Sequence, residues 1–148
     1  LAALGMDVGI AVRGGGFAAQ AREATGGLGV NLAANLVGGT AFPDCLGALA
    51  KQGRLGVVGY VDGAFESTID LSAVHAKRLE IFGVSNMHLT PAERAAAMAG
   101  FARDFLPALA DGRIVPVVDR VFAFDELPSA KAYVDSNAQI GKVVVRMS

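Results

Sequence analysis

Residues 53–60, GRLGVVGY, are the stretch that decides the fold of this chain. A short apolar run that is rich in β-branched residues and bounded by glycines indicates a strand with both faces buried. Gly59 lets the backbone turn sharply at the end of this strand and leaves no side chain in the way of a ligand. Because ligands in open α/β sheets bind beyond the carboxyl ends of the strands, we expect residues 60–62 on the rim of a crevice.

The same pattern continues on both sides of this stretch. Further apolar runs predict strands over residues 7–12, 30–37 and 79–84. Helical spacing predicts helices over residues 17–25, 40–51 and 71–77, the second capped by Thr40 and the third by Asp70. Short strands that alternate with short helices predict an α/β fold, with a parallel sheet flanked by helices.

Thr90, Pro91 and Glu93 carry the clearest local signal in the chain. Thr at the N-cap, Pro at the first helical position and Glu three residues after Thr form a capping box. The helix is predicted to run to residue 111, to kink at Pro107 and to end at Gly112. Its apolar residues are predicted to form one buried stripe: Met98, Phe101, Phe105 and Leu109.

Beyond residue 112 the alternation of strand and helix is predicted to be lost. Residues 114–124 have an extended pattern, residues 126–136 a helical one, and residues 141–147 that of a terminal strand. We therefore predict two domains, a partial nucleotide-binding domain over residues 1–112 and a carboxyl-terminal segment over residues 113–148 that belongs to a different lobe.

Composition excludes several classes of protein. Of the 148 residues, 53% are apolar and 18% charged, which argues against disorder. The net charge of −1 and the lack of a basic run argue against binding to nucleic acid or to an anionic membrane. The chain has a single cysteine, Cys45, so it cannot form an internal disulfide. We predict that Cys45 is a buried thiol. A single cysteine is also compatible with a cytoplasmic location. His75 and His88 lack partners at catalytic or metal-binding spacing, so we predict no catalytic and no metal-binding residue.

A loose dinucleotide-binding fingerprint follows the first predicted strand. Gly14, Gly16 and Ala19 match the spacing GxGxxA, and Asn35 follows about 20 residues later, where an acidic residue would bind a ribose. A chain rich in alanine and glycine also produces this spacing by chance. A flexible turn is therefore the alternative interpretation.

Three predicted strands end in glycine or small polar residues, at residues 37–39, 58–60 and 83–86. In a parallel sheet these ends lie at one edge and form a crevice that is lined by backbone and suited to a flat nucleotide. Ordinary use of glycine in turns explains the same pattern, so the residues alone leave both interpretations open.

Several segments, in this order and spacing, resemble the medium-chain dehydrogenase/reductase superfamily, and most closely its NAD(P)H:quinone oxidoreductase branch. They are LGMDVGIAVR (4–13), VNLAANLVGG (30–39), LGALAKQGRLGVVGY (46–60), LEIFGVSN (79–86), SNMHLTPAERAA (85–96) and IGKVVVRM (140–147). The resemblance implies the carboxyl-terminal portion of a longer enzyme with a partial Rossmann-type sheet. The first strands, their Gly-rich loop and the catalytic lobe are expected upstream of Leu1, and the residues after 112 are expected to pack on that lobe. Under this resemblance residues 14–16 form a later turn and not the pyrophosphate loop.

The resemblance also implies a set of cofactor-binding residues. Gly39 follows the strand that passes under the cofactor, and Lys142 approaches the phosphates. Arg13 lies near the adenosine ribose and favours NADPH, with NADH possible. Backbone contacts to the nicotinamide half are expected from two groups of residues: Val58, Gly59 and Tyr60, and Val84, Ser85 and Asn86.

The function that the resemblance implies is hydride transfer from NAD(P)H to a small-molecule acceptor, a quinone or an activated enone. The parent protein is expected to be an enzyme and this chain alone inactive. A homodimer is expected through the sheet edge near residues 78–84. Two alternatives stay open: a non-catalytic nucleotide-binding or dimerisation module, and an enoyl reductase segment of a polyketide synthase.

Overall fold

The computed structural model describes residues 2–12 and 15–147. Its helices are α1 (Phe17–Ala24), α2 (Phe42–Ala48), α3 (Leu71–Lys77), α4 (Pro91–Asp104), α5 (Leu106–Ala110) and α6 (Leu127–Asp135). Its strands are β1 (Val30–Asn35), β2 (Leu49–Val57), β3 (Glu80–Gly83), β4 (Val118–Ala123) and β5 (Lys142–Arg146). The chain forms two compact units, one up to His88 and the other from Leu89 onward. No helix within the described ranges is long and apolar enough to cross a membrane.

The first unit is a parallel sheet, as predicted, and its strand order is β1-β2-β3. The central strand β2 contains residues 53–57 of the stretch GRLGVVGY, and its Leu55 is fully buried. Leu46 and Cys45 of α2 pack in the same core, together with Leu49. Burial raises the pKa of the Cys45 thiol, because a desolvated thiolate is unfavourable. The predicted α/β architecture and the buried cysteine are both confirmed.

The boundary between α2 and β2 differs from the prediction. The helix was expected to run from Thr40 to residue 51, but it ends at Ala48, and β2 begins at Leu49. Gln52 has a φ of 61°, a left-handed conformation through which a right-handed helix cannot continue. The N-cap is Ala41 and not Thr40, because the Thr40 side chain bonds to Asp62 instead.

The strand predicted over residues 7–12 does not form. These residues have no regular structure, and no strand of the described chain lies beside them to complete a hydrogen-bonded ladder. A strand is stable only when its backbone groups are paired, so the apolar pattern alone is not sufficient.

The second unit contains β4, α6 and β5, and its two strands are parallel. The individual elements match the prediction, but the expected loss of the strand–helix alternation is wrong, because β4, α6 and β5 form a β–α–β unit. Phe122 of β4 and Ala130 of α6 are its buried residues near this sheet. The assignment of residues 113–148 to a separate lobe stays a prediction.

The capping box that starts α4 is confirmed. The Glu93 amide donates to Thr90 Oγ1 at 3.2 Å, and the Thr90 amide donates to Glu93 Oε2 at 2.8 Å. The helix does not continue to residue 111 but breaks at Phe105, shortly before Pro107. Proline lacks an N–H, and its ring clashes with the carbonyl four residues earlier, so the predicted kink becomes a separation into α4 and α5.

The stripe on α4 is not buried as predicted. Met98 is 62% exposed, Phe101 44% and Phe105 48%. Within the described part of this unit α4 packs chiefly against the short helix α5, which covers little of its surface. The two phenylalanine rings stack on each other at 5.5 Å between centroids.

Candidate functional site

The carboxyl ends of β1, β2 and β3 lie next to one another at one edge of the sheet. The Val58 amide donates to the Asn35 carbonyl at 2.8 Å, which joins the end of β2 to the end of β1. The Val84 amide donates to the Val57 carbonyl at 2.9 Å and joins β3 to β2 in the same way. We call the residues that follow these three strands, 36–39, 58–60 and 84–86, the ledge.

Asn35 is a structural residue of the ledge. It is only 2% exposed, and its side chain makes its hydrogen bonds within the turn that follows β1. Its Nδ2 donates to the Gly38 carbonyl at 2.8 Å, and its Oδ1 accepts from the amides of Val37 and Gly38, each at 3.0 Å. The ribose-binding position that the fingerprint assigned to Asn35 is therefore wrong for this structure, because the side chain is committed to the turn.

The backbone amides at the start of α1 also already have a hydrogen-bond acceptor. Asp44 of α2 accepts a hydrogen bond from the Gly16 amide at 2.6 Å and another from the Ala18 amide at 3.3 Å. A carboxylate thus already occupies the helix terminus at which the fingerprint would hold a pyrophosphate. Gly14 lies outside the described residues. Asp44, a residue of α2, thus caps the neighbouring helix α1.

Residues 60–67, which we call the strap, cross over the turn after β1. Asp62 Oδ2 accepts hydrogen bonds from the amide and the hydroxyl of Thr40, at 2.9 and 2.5 Å. The Gly39 amide donates to the Ala64 carbonyl at 2.9 Å, and Ser67 Oγ donates to the Gly39 carbonyl at 2.7 Å. The Thr40 hydroxyl, followed by the amides of Ala64 and Thr40, lowers the pKa of the Asp62 carboxyl, because these donors bond to its charged form.

An open cavity of about 330 Å³ lies between the strap, the turn after β1 and the end of β2. Gly39 and Tyr60 line it, together with Phe42 and Phe65. The rings of Tyr60 and Phe65 lie 5.3 Å apart, tilted by 43°. The volume is at the lower end of the range for small-molecule pockets, which suits one aromatic ring with its substituent better than a whole dinucleotide.

Most backbone amides of the ledge already have partners. Gly59, like Val58, donates to the Asn35 carbonyl, at 3.3 Å, and the Gly39 and Val84 amides are bonded as described above. The amides of Tyr60 and Ser85 donate to no acceptor within the described ranges. The amides of Leu36 and Asn86 likewise have no acceptor there, so donors after all three strands are available to a ligand.

The described residues that were predicted to contact a cofactor fall into four groups. Gly39 and Tyr60 line the cavity, and Val58 and Gly59 connect the ends of β1 and β2. Val84, Ser85 and Asn86 follow β3 outside the cavity lining, with Ser85 Oγ accepting from the Met87 amide at 3.1 Å. Lys142 is the first residue of β5 in the second unit, and Arg13 lies outside the described residues. Their roles toward a cofactor stay predictions.

The strap was the feature that sequence reasoning missed. Asp62 was placed on the rim of the crevice, but its bonds to Thr40 were not foreseen. The dipeptide Asp62-Gly63 is a turn signal, and it could have indicated that the chain folds back here. Within residues 2–12 and 15–147, no group of three or more His, Cys, Asp or Glu residues could hold a metal ion.

Known proteins are similar to this chain. A zinc-type alcohol dehydrogenase-like protein of Schizosaccharomyces pombe is 29% identical over 131 residues, which cover 88% of this chain and 36% of that protein. Quinone oxidoreductase-like protein 2 of Bos taurus is 33% identical over 134 residues, which cover 85% of this chain and 37% of that protein. The chain thus spans little more than a third of the length of these curated relatives.

Solved structures share the fold. AibC matches with a TM-score of 0.71 and 28% identity, covering 93% of this chain and 36% of that one. A mycobacterial protein solved in complex with NADPH matches with a TM-score of 0.70 and 25% identity, covering 88% of this chain and 40% of that one. A family model described as zinc-binding dehydrogenase matches residues 4–145. The chain therefore belongs to the zinc-binding dehydrogenase family, within the medium-chain dehydrogenase/reductase superfamily that its sequence resembles.

Proposed function

We propose that this chain is the nicotinamide-binding portion of an NAD(P)H-dependent oxidoreductase, and that the ledge holds the nicotinamide half of the cofactor. The observation that carries the proposal is the meeting of three parallel strand ends at one edge, with a free amide on Tyr60 at a ring-sized cavity and another on Ser85 at the neighbouring strand end. The similarity to a mycobacterial protein solved with NADPH supports the choice of ligand.

The residues present fit a nicotinamide ring. Its carboxamide oxygen needs hydrogen-bond donors, and the amides of Tyr60 and Ser85 are donors without protein acceptors within the described ranges. The flat ring would lie against Gly39 and Tyr60, which line the cavity. When bound, the dihydronicotinamide supplies the hydride, and the chain binds and orients it.

We further propose that the hydride acceptor is a quinone or an activated enone. Quinone oxidoreductase-like protein 2 of Bos taurus is similar in sequence, and the ledge carries exposed apolar side chains, Val58, Tyr60 and Val84, that suit an apolar acceptor. The described residues offer no set of three or more His, Cys, Asp or Glu side chains that could hold a zinc ion. We expect this chain alone to bind the nucleotide without turnover, because the catalytic lobe is expected in the rest of the parent protein.

A homodimer belongs to the same proposal. Within the described chain β3 pairs only with β2, so its outer edge carries unpaired backbone groups that a second copy could pair. Preference for NADPH over NADH rests on Arg13, and a cation near the ribose would favour a 2′-phosphate.

Titration of the chain with NADPH, NADH and reduced nicotinamide mononucleotide, followed by cofactor fluorescence, tests the proposal. We expect all three to bind, NADPH most tightly. Gly59→Leu should abolish binding, because even a Cβ at Gly59 would lie 3.0 Å from the Leu36 carbonyl oxygen and would disturb the joined strand ends. Gly100→Leu, at a half-buried position of α4 where an added Cβ would meet only the end of the Arg103 side chain at 4.0 Å, is the matched control and should bind normally. A folded chain that binds none of the three ligands contradicts the proposal, as does normal binding by Gly59→Leu.

A further inference from the structure

Asp62 forms the most extensive set of contacts between the strap and the turn after β1. Its carboxylate accepts from the Thr40 amide and hydroxyl, and its own amide donates to the Val37 carbonyl at 2.9 Å. Oδ1 accepts from the Ala64 amide at 2.9 Å, so both carboxylate oxygens are in use. The same carboxylate fills the space beside Gly38, where an added Cβ would lie 1.9 Å from Oδ1.

The position of the aromatic pair depends on these contacts. The strap has no helix or strand, and its Phe65 is 78% exposed and Tyr60 50% exposed, so neither ring is anchored in the core. The rings contact each other at the cavity wall. The strap is therefore held in place by its hydrogen bonds to residues 37–40. The bonds from Thr40 to the Asp62 carboxylate are the stronger ones among them, because the acceptor is charged.

We propose that Asp62 is a positioning residue of the nucleotide site. Through Thr40 it holds the strap against the turn after β1, and so keeps the Tyr60–Phe65 pair in place as the wall against which the nicotinamide ring lies. This inference rests on the function proposed for the ledge. Asp62 acts through the strap, by its bonds to Thr40, and is assigned no contact with the ligand itself.

The residue content of the chain permits a direct optical test of the strap. The chain has no Trp and two Tyr, so Tyr133→Phe leaves Tyr60 as the only fluorophore of its kind, on the strap itself. In this background we expect acrylamide quenching of Tyr60 emission to rise about twofold for Asp62→Ala and less for Thr40→Val. Thr40→Ser keeps the hydroxyl, so its Tyr60 emission should be quenched as in the parent. Glu23→Gln removes an exposed carboxylate on α1, outside the cavity lining, and should also leave the quenching unchanged.

The nucleotide-binding arm uses the same proteins. We expect Asp62→Ala to weaken NADPH binding roughly tenfold and Thr40→Val roughly threefold, with Thr40→Ser restoring the parent affinity, since hydrogen bonds to a charged group are the stronger ones. Far-UV circular dichroism checks the fold of each variant. If Asp62→Ala does not fold, Thr40→Val and Thr40→Ser carry the test, because they differ in the hydroxyl bond to Asp62.

The two proposals fail in different ways. A folded parent that binds no nucleotide overturns the proposed function, and with it the role of Asp62 in binding. A parent that binds NADPH, with variants whose quenching and affinity equal those of the parent, overturns only the role of Asp62. Raised quenching with unchanged affinity also overturns it, because the strap would then open without consequence for the ligand.

Discussion

The side chain of Asn35 makes three hydrogen bonds within one turn, and its backbone oxygen accepts two more from the end of β2. A single buried amide thus joins β1 to the turn that follows it. The position of a residue 20 places after a glycine-rich loop suggested a ribose ligand, but spacing contains no information about where the amide points. Only the path of the turn, with Gly38 folded back over Asn35, determines that.

Removing the amide should destabilise the first unit. Asn35→Ala leaves the amides of Val37 and Gly38 and the Gly38 carbonyl without their partner, which we expect to lower the free energy of unfolding by about 2 kcal/mol. Native-state hydrogen exchange of the Leu55 amide, at the centre of β2, measures this change. Asn31→Ala replaces the same residue type at an exposed site of the same strand. It should change the free energy of unfolding measured by exchange by less than about 0.5 kcal/mol. Equal effects of the two substitutions would show that the turn does not depend on Asn35.

Among the elements, α4 shows which sequence signals are sufficient by themselves. Its start is encoded by three neighbouring residues whose contacts are local, and the capping box forms as predicted. Its interruption at Phe105 is also local in origin, since Pro107 removes a donor, but the pattern did not distinguish a kink from a break. Its apolar stripe was predicted to be buried. Burial depends on which element packs against α4, and the spacing of apolar residues does not encode that.

The capping box should weaken in acid. The Thr90 hydroxyl, and then the Thr90 amide, lower the pKa of Glu93 below its ordinary value of 4.5, because both donate to the charged carboxylate. A lowered pKa in the folded state means that the stabilisation is fully present above about pH 4.5 and is lost as the pH falls through the folded pKa. We expect the NMR shift of the Thr90 amide to titrate with a midpoint below 4.5.

Thr90→Ala provides the control for this titration. It removes the hydroxyl from the box, and we expect it to destabilise α4 by about 1 kcal/mol at neutral pH and to move the midpoint upward. A midpoint that is the same with and without the hydroxyl would contradict the hydrogen bond from Thr90 to Glu93.

For the chain as a whole, the exposed apolar surface and the unpaired strand edges predict self-association. Within the described residues β1 and β3 each pair only with β2, and Leu32 on β1 is 59% exposed. An unpaired edge with apolar side chains is a template for pairing with another chain. We expect oligomers or aggregates in size-exclusion chromatography with light scattering.

A charge on the edge strand should oppose this association. We expect Leu32→Lys to raise the monomer fraction severalfold, because lysine on an edge is hydrated and repels a second copy. Leu28→Lys makes the same change at a loop residue that is 79% exposed, and it should leave the monomer fraction unchanged. A monodisperse monomer with a single sharp melting transition in the unmodified chain would contradict the prediction.

The sequence was sufficient for the parallel sheet of the first unit, because strand runs and glycine-bounded ends are local patterns and parallel pairing follows from the intervening helices. It was also sufficient to predict that the ends of β1, β2 and β3 share an edge. It was not sufficient for the strap, since the bonds from Thr40 to Asp62 join residues 22 positions apart. The sequence was also not sufficient for residues 7–12. Their apolar pattern is that of a strand, but a strand forms only where a partner strand pairs with it.

The close fit of Asp62 beside Gly38 limits which residues can occur at positions 38 and 62 in homologous chains. Gly38 has a φ of 130°, and an added Cβ would meet the Asp62 carboxylate. A side chain at position 38 and an acidic residue at position 62 are therefore mutually exclusive in this geometry. Among homologous chains, a residue other than glycine at position 38 should therefore occur only where the turn has another backbone conformation and position 62 is no longer acidic.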